Sequence, residues 1–241
     1  MISVTKLKGI ISLILTLSLI SGSIFLFSPI NSYAMTQAED VEIYRKVEND
    51  YKKIALTFDD GPHPRYTPQI LEILDQYNVK ATFFIIGVNA SYYPDTLERI
   101  IESGHEIGNH TYSHPHVSSI NANTLREEIE HCEAVINGSS DYKTKLFRPP
   151  EGMIDGYVKD VLKDLDYKVV LWDIDTRDWA HTPPEEISEN VVSHVSSGDI
   201  ILMHDYISFG SPTPEALRLF IPKLLDKGYR FVVMSELIGS S

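Results

Sequence analysis

The chain has 241 residues, with 34 acidic side chains against 21 Lys and Arg and a formal net charge of −13. That balance offers no basic patch to neutralise phosphates, which excludes nucleic acid as a partner and favours an uncharged one. Cys132 has no second cysteine to pair with, so an internal disulfide is excluded, and a hydrophobic share of 43% suffices for a full core.

The first 34 residues read as an export signal. Lys6 and Lys8 give a basic start, residues 10–27 carry no charge, and Ser32 and Ala34 are small residues where a signal peptidase cuts. The expected product is secreted or cell-wall associated. The apolar run is longer than a usual signal core, so the alternative is an uncleaved anchor holding the protein to the outer face of the membrane. Residues 35–50 are polar, show no sustained apolar period, and read as a linker; 51–241 read as one domain.

Within that domain, short apolar runs predict strands over 52–58, 81–86, 105–108, 145–148, 168–172, 199–204 and 230–234. Amphipathic stretches between them predict helices over 68–77, 96–103, 124–136, 157–165, 184–195 and 214–227. Asn123 and Thr213 are placed to cap helices at their starts, and Gly104, Gly198 and Gly228 to end segments. Leu125, Ile129, Cys132 and Ile136 share one helix face, so the thiol reads as core filling. Strands alternating with helices imply a parallel sheet, either doubly wound or a barrel.

Polar clusters decide between the two. Asp59 and Asp60 follow the first strand, His110 and His114 the third, Arg148 ends the fourth, Asp175 and Asp178 follow the fifth, and His204 ends the sixth. All lie at C-terminal strand ends, which meet at one mouth only in a barrel. The expected fold is therefore an α/β distorted, incomplete (β/α) barrel of about seven parallel strands. Adjacent acids at a strand end point apart, so one can serve a metal and the other a proton. An Asp with two His makes an incomplete shell with room for water and substrate, the pattern of a catalytic zinc. Metal-assisted hydrolysis is the chemistry this suggests.

The chain resembles the polysaccharide deacetylases, the family 4 carbohydrate esterases with a NodB-like domain. The resemblance runs from residue 51 to about 236 and rests on five motifs in family order. They are Thr57-Phe58-Asp59-Asp60-Gly61, His110-Thr111-Tyr112-Ser113-His114, Arg148-Pro149-Pro150-Glu151-Gly152, Asp175-Thr176-Arg177-Asp178-Trp179 and Leu202-Met203-His204. The resemblance implies hydrolysis of N-acetyl groups on sugars. Asp60, His110 and His114 would hold a divalent metal, zinc first and cobalt as the alternative. Asp59 would be the general base, kept ionised by Arg148. His204 would be the general acid, oriented by Asp178. A backbone N–H at the Pro150–Glu151 turn would meet the oxyanion, and Trp179 and Leu202 would form the slot for the acetyl methyl.

Glu151 stands where many members carry Tyr, which alters the groove wall and puts the choice of glycan in doubt. The favoured substrate is peptidoglycan, with chitin-like oligomers second. The alternatives are an O-acetyl esterase on a xylan-like glycan and a glycan-binding module that no longer turns over. The N-acetylated glycan is the one partner implied; no protein partner is. Asp175 reads as structural or as a support behind the site rather than as catalytic, and His63, His105, His116, His131, His181 and His194 read as packing or surface histidines, with lining of the groove the alternative for His63 and His116, which flank the motifs.

Overall fold

The computed structural model describes residues 40–140 and 142–239, and the segment 1–34, expected to be an export signal, lies outside them. In chain order the elements are β1 (Ile43–Tyr44), β2 (Lys53–Asp59), α1 (Tyr66–Gln76), β3 (Thr82–Ile85), α2 (Gly87–Tyr92), α3 (Pro94–Glu102), β4 (Glu106–Asn109) and α4 (Ala122–Ser140). There follow β5 (Leu146–Phe147), α5 (Gly156–Asp164), β6 (Lys168–Val170), β7 (Ile174–Asp175), α6 (Pro184–His194), β8 (Ile200–His204), α7 (Thr213–Asp226), β9 (Arg230–Phe231) and α8 (Met234–Ile238).

All strands pair in parallel, in the order β1-β6-β5-β4-β3-β2-β8-β7, with β9 added to β2. The path does not close on itself, so the fold is a distorted, incomplete (β/α) barrel. Among the described residues it has nine strands, against the seven expected. The two extra ones, β1 and β7, are two residues long and too short to leave a period-two signal.

Residues 43–47, expected to be linker, belong to the domain. β1 pairs with β6, Lys46 bridges to Asp199, and Val47 is buried with its N–H on Gly198 O at 2.9 Å. The physical reason is that β6 has an open edge, which two backbone rungs, Val169 N–H to Glu42 O and Leu171 N–H to Tyr44 O, cover, while Val47 closes over the start of β8. Two caps also differ. Asn121 rather than Asn123 accepts the Thr124 N–H at the start of α4, and the Thr213 hydroxyl goes elsewhere.

Alternation in β2 explains the layers. Ile54, Leu56 and Phe58 face outward and pack with Ile201 and Met203 of β8 against α1 and α7. Ala55, Thr57 and Asp59 face inward. The interior holds apolar Phe84, Val170 and Ile200, and also the fully buried guanidinium of Arg148. Leu202 and His204 share the inner face of β8 with Ile200. This is why strand-end polar groups converge at one mouth.

Candidate active site

At the end of β2, Asp59 completes the strand and Asp60 turns into the left-handed region at φ 75°. The turn sends the two carboxylates to different neighbours. The next residue must be glycine, because a Cβ on Gly61 would lie 2.1 Å from Asp205 Oδ2. After β4, His110 is buried, and Thr111 and His114 adopt positive φ, folding the loop back over Asp60. His110 Nε2 and His114 Nε2 each lie 3.5 Å from Asp60 Oδ1. One ligand atom from each of these three residues falls within 4.8 Å of the others.

These residues fit a divalent ion. Asp60 Oδ1 is enclosed yet has no hydrogen-bond partner among the described residues, a cost a cation would remove. His110 Nδ1 lies 2.7 Å from Arg148 O, so the ring donates there and keeps the Nε2 lone pair for a metal. Without metal, burial opposes charge on His110 but Asp59 and Asp60 outweigh it and raise its pKa. Burial and the neighbouring His110 hold the pKa of His114 below its ordinary value. Burial also works against the Asp60 anion, and the facing His110 overcomes it and lowers the pKa.

Asp59 is held differently. Its Oδ1 accepts from Arg148 Nη1 at 2.7 Å, a charge-assisted bond with both groups buried. Arg148 spends its other donors on Thr57 Oγ1 (2.9 Å), Val170 O (3.0 Å) and Leu171 O (3.0 Å), and lies 4.1 Å from the Phe84 ring centroid. It is therefore an immobile cation fixed under Asp59. Burial draws its pKa down and Asp59 opposes that.

His204 is the direct neighbour of Asp59 across the β2–β8 register. Its Nδ1 meets Asp178 Oδ1 at 2.8 Å. Asp178 is fully buried and also accepts from the His204 N–H (2.7 Å), the Trp179 N–H (2.9 Å) and the Thr213 hydroxyl (2.7 Å). Burial works against the imidazolium, but Asp178 and the more distant Asp59 and Asp60 raise its pKa to about 9. At neutral pH His204 is a protonated donor with Nε2–H available.

One cleft of about 490 Å³ takes in Asp59, Asp60, His110, His114 and His204 together with Glu151, Trp179 and Leu202. Arg148 and Asp178 lie behind it. All ten predicted site residues thus belong to one constellation. Gly152 and Met153 donate to Pro149 O and Pro150 O, and the Glu151 N–H, at φ 59°, has no partner among the described residues. A Cβ on Gly152 would lie 2.8 Å from the Trp172 ring.

Sequence reasoning missed several contributors. Trp172 and Asp175 line the same cleft, and Asp175 also accepts from the Trp179 indole at 3.4 Å. His116, for which the groove is only the alternative expectation, has its Nδ1 2.7 Å from Glu151 Oε1, so the acid on the groove wall has a partner. Thr213 and Asp205 carry no sequence signal beyond their place near strand or helix ends. Of the remaining histidines, His105 accepts the Ala81 N–H, and burial pushes its pKa to about 4, a structural role.

A family model for polysaccharide deacetylases matches residues 46–170, the stretch that carries Asp59, Asp60, His110, His114 and Arg148. The chain belongs to that family. It is 42% identical over 200 residues to a peptidoglycan-N-acetylglucosamine deacetylase of Bacillus cereus, covering 80% of this chain and 91% of that one. Among solved structures, a peptidoglycan N-acetylglucosamine deacetylase bound to an N-oxidanyl-benzamide superposes with a TM-score of 0.79 at 37% identity, covering 83% of this chain and 94% of that one. A family 4 acetyl xylan esterase from Clostridium thermocellum, in complex with a cobalt ion, gives a TM-score of 0.72 at 36% identity over 78% of this chain and 90% of that one.

Proposed function

We propose that this family member is an exported, zinc-dependent hydrolase that removes N-acetyl groups from peptidoglycan and releases acetate. The observation that carries the reading is the arrangement around Asp60. A carboxylate lacking a partner faces two imidazoles, with a clamped base on one side and a protonated acid on the next strand. Nitrogen and oxygen donors in an incomplete shell suit zinc. Peptidoglycan is supported by the B. cereus relative. Export rests on the leader segment of the sequence.

Asp60, His110 and His114 would hold the ion, which when bound supplies Lewis acidity toward a carbonyl and acidifies water. Asp59 takes the proton of the attacking water, and Arg148 keeps it anionic and aimed. The Glu151 N–H donates to the oxygen on which charge develops. His204 then protonates the departing nitrogen from Nε2, so the products are acetate and a free amine on the sugar. Asp178 steadies the imidazolium, and Thr213 and two backbone N–H groups steady Asp178.

The test is product analysis on peptidoglycan fragments and N-acetylglucosamine oligomers, with acetyl loss located by mass. Acetate release that chelation abolishes and zinc restores is the expected result. Loss of O-acetyl groups alone would move the substrate to ester-bearing glycans, and tight glycan binding with no acetate released would make the chain a binding module.

A further inference from the structure

One buried carboxylate takes no part in the chemistry derived above. Asp205 directly follows His204 at the end of β8, is completely enclosed, and has no hydrogen-bond partner for Oδ1 among the described residues. A group in such a place contributes through what it touches. Asp205 touches the turn that carries Asp59 and Asp60.

Three contacts make it a brace on that turn. Its N–H donates to Asp59 O at 3.1 Å, and its Oδ2 accepts the Thr67 hydroxyl at 2.5 Å. The same hydroxyl accepts the His63 N–H at 2.7 Å. Between these two ends the carboxylate lies against Gly61, where a Cβ would come within 2.4 Å of Oδ1, Oδ2 and Cγ. Residues 59, 61 and 63 are therefore all held from the β8 side. From elsewhere, Asn89 Nδ2 of α2 donates to Asp60 O at 2.7 Å, and the Ile86 N–H, just after β3, donates to Gly61 O at 3.0 Å.

Asp60 is where this restraint matters. Its φ of 75° is a conformation that residues with a Cβ disfavour, so the turn relaxes unless its surroundings hold it. The direction of the Asp60 carboxylate follows from that backbone. His110 Nε2 and His114 Nε2 approach Asp60 Oδ1 from a separate loop after β4, so the three ligand atoms stay together only if the end of β2 is fixed.

We propose that Asp205 is a positioning residue for the metal site, holding the Asp59–His63 turn so that Asp60 presents Oδ1 to the two imidazoles. The inference rests on the proposed function in taking a divalent ion as the occupant. Shape and hydrogen bonding carry the role rather than charge, because the side chain fills the space beside Gly61 and anchors Thr67. Removing it opens a cavity under the turn and frees the Thr67 hydroxyl. Loss of a group that stands behind a metal ligand typically weakens metal binding by about 10–100-fold.

The experiment measures the zinc Kd by competition with a chromophoric chelator in wild type, Asp205→Ala, Asp205→Asn and Thr67→Val, each confirmed as folded by circular dichroism. Asp205→Ala should raise Kd about 10–100-fold. Asp205→Asn keeps the shape and still accepts from Thr67, so it should bind zinc like the wild type. Thr67→Val breaks the link but leaves the volume, so it should weaken zinc less than the alanine variant does. It decides the matter if Asp205→Ala does not fold. Folded variants that lose stability yet keep wild-type zinc affinity would assign Asp205 to the fold alone and overturn the proposal. A Kd in Asp205→Asn as weak as in Asp205→Ala would also overturn it, since its place in the turn is then not what acts. Affinity is read without turnover, so a wild type that binds zinc but releases no acetate overturns the proposed function alone, whereas one that binds no zinc overturns both.

Discussion

Carboxylates cluster at both ends of this sheet, and their surroundings differ. At the N-terminal ends of β7 and β8, Asp199 accepts from the Ser196 N–H (2.7 Å) and hydroxyl (3.0 Å) and pairs with Lys46 at 2.9 Å, while Asp173 accepts the Ile200 N–H at 2.8 Å. At the C-terminal end, Asp59 is as well provided for, but Asp60 Oδ1 and Asp205 Oδ1 are enclosed with no hydrogen-bond partner among the described residues. A polar group with all its partners in the chain holds the fold; one that lacks a partner marks where something else must supply it. For Asp60 the proposed supplier is a cation. Asp205 supplies its own answer, because burial pushes its pKa up to about 7 despite the Thr67 hydroxyl on its other oxygen.

The largest effect that would sharpen this contrast belongs to His204. Departure of an amine needs protonation and departure of an activated alcohol needs it much less, so His204→Ala should cut N-deacetylation by about 10²–10⁴-fold. Hydrolysis of an activated acetyl ester should suffer far less. Asp178→Asn should give a milder form of the same pattern. It should also move the alkaline fall in amide turnover, set in the wild type by a His204 pKa of about 9, to lower pH. Rate profiles for both substrates against pH decide it, and equal losses on amide and ester would place His204 in the fold rather than the chemistry.

Next comes Asp205. Its folded pKa of about 7 stands above its ordinary 3.8, so the native state binds the extra proton between those values. Stability contributed by this group is therefore full below about pH 4 and is lost as pH rises to about 7. Asp205→Asn should remove that slope, a difference on the order of 2–4 kcal/mol across the window. Denaturant unfolding of chelated wild type and variant at several pH values measures it, and parallel curves would show Asp205 ionised in the fold.

The smallest effect is at the satisfied end. Lys46→Met leaves the buried Asp199 without its cation, but the lysine side chain is 31% exposed, so the loss is held to about 1 kcal/mol. That corresponds to a Tm lower by roughly 2–4 °C, with deacetylation unchanged. Activity falling in step with the clasp would break the division between the two ends.

Much of this was legible in the sequence because strand ends were. Asp59, Asp60, His110, His114, Arg148 and His204 each sit within a few residues of an apolar run, and parallel order brings such ends together. Asp178 was legible through its motif. What escaped depends on directions that sequence does not carry. Thr213 fits a helix cap equally well until its hydroxyl is seen on Asp178, and Asp205 follows His204 on a strand end without showing that its carboxylate is buried beneath Gly61 and against Thr67 of α1. β1, β7 and α2 are too short for a period to accumulate, and 43–47 looked like linker because two rungs and one buried valine are enough to hold it.

The central claim is that two adjacent aspartates divide the work, Asp60 as ligand and Asp59 as base. It is tested most directly by measuring zinc bound to Asp60→Asn and Asp59→Asn after dialysis against a fixed free concentration, alongside turnover. The account predicts that Asp60→Asn binds far less zinc, whereas Asp59→Asn remains loaded and loses about 10²–10⁴-fold in rate. A metal-poor Asp59→Asn beside a fully loaded Asp60→Asn would contradict it.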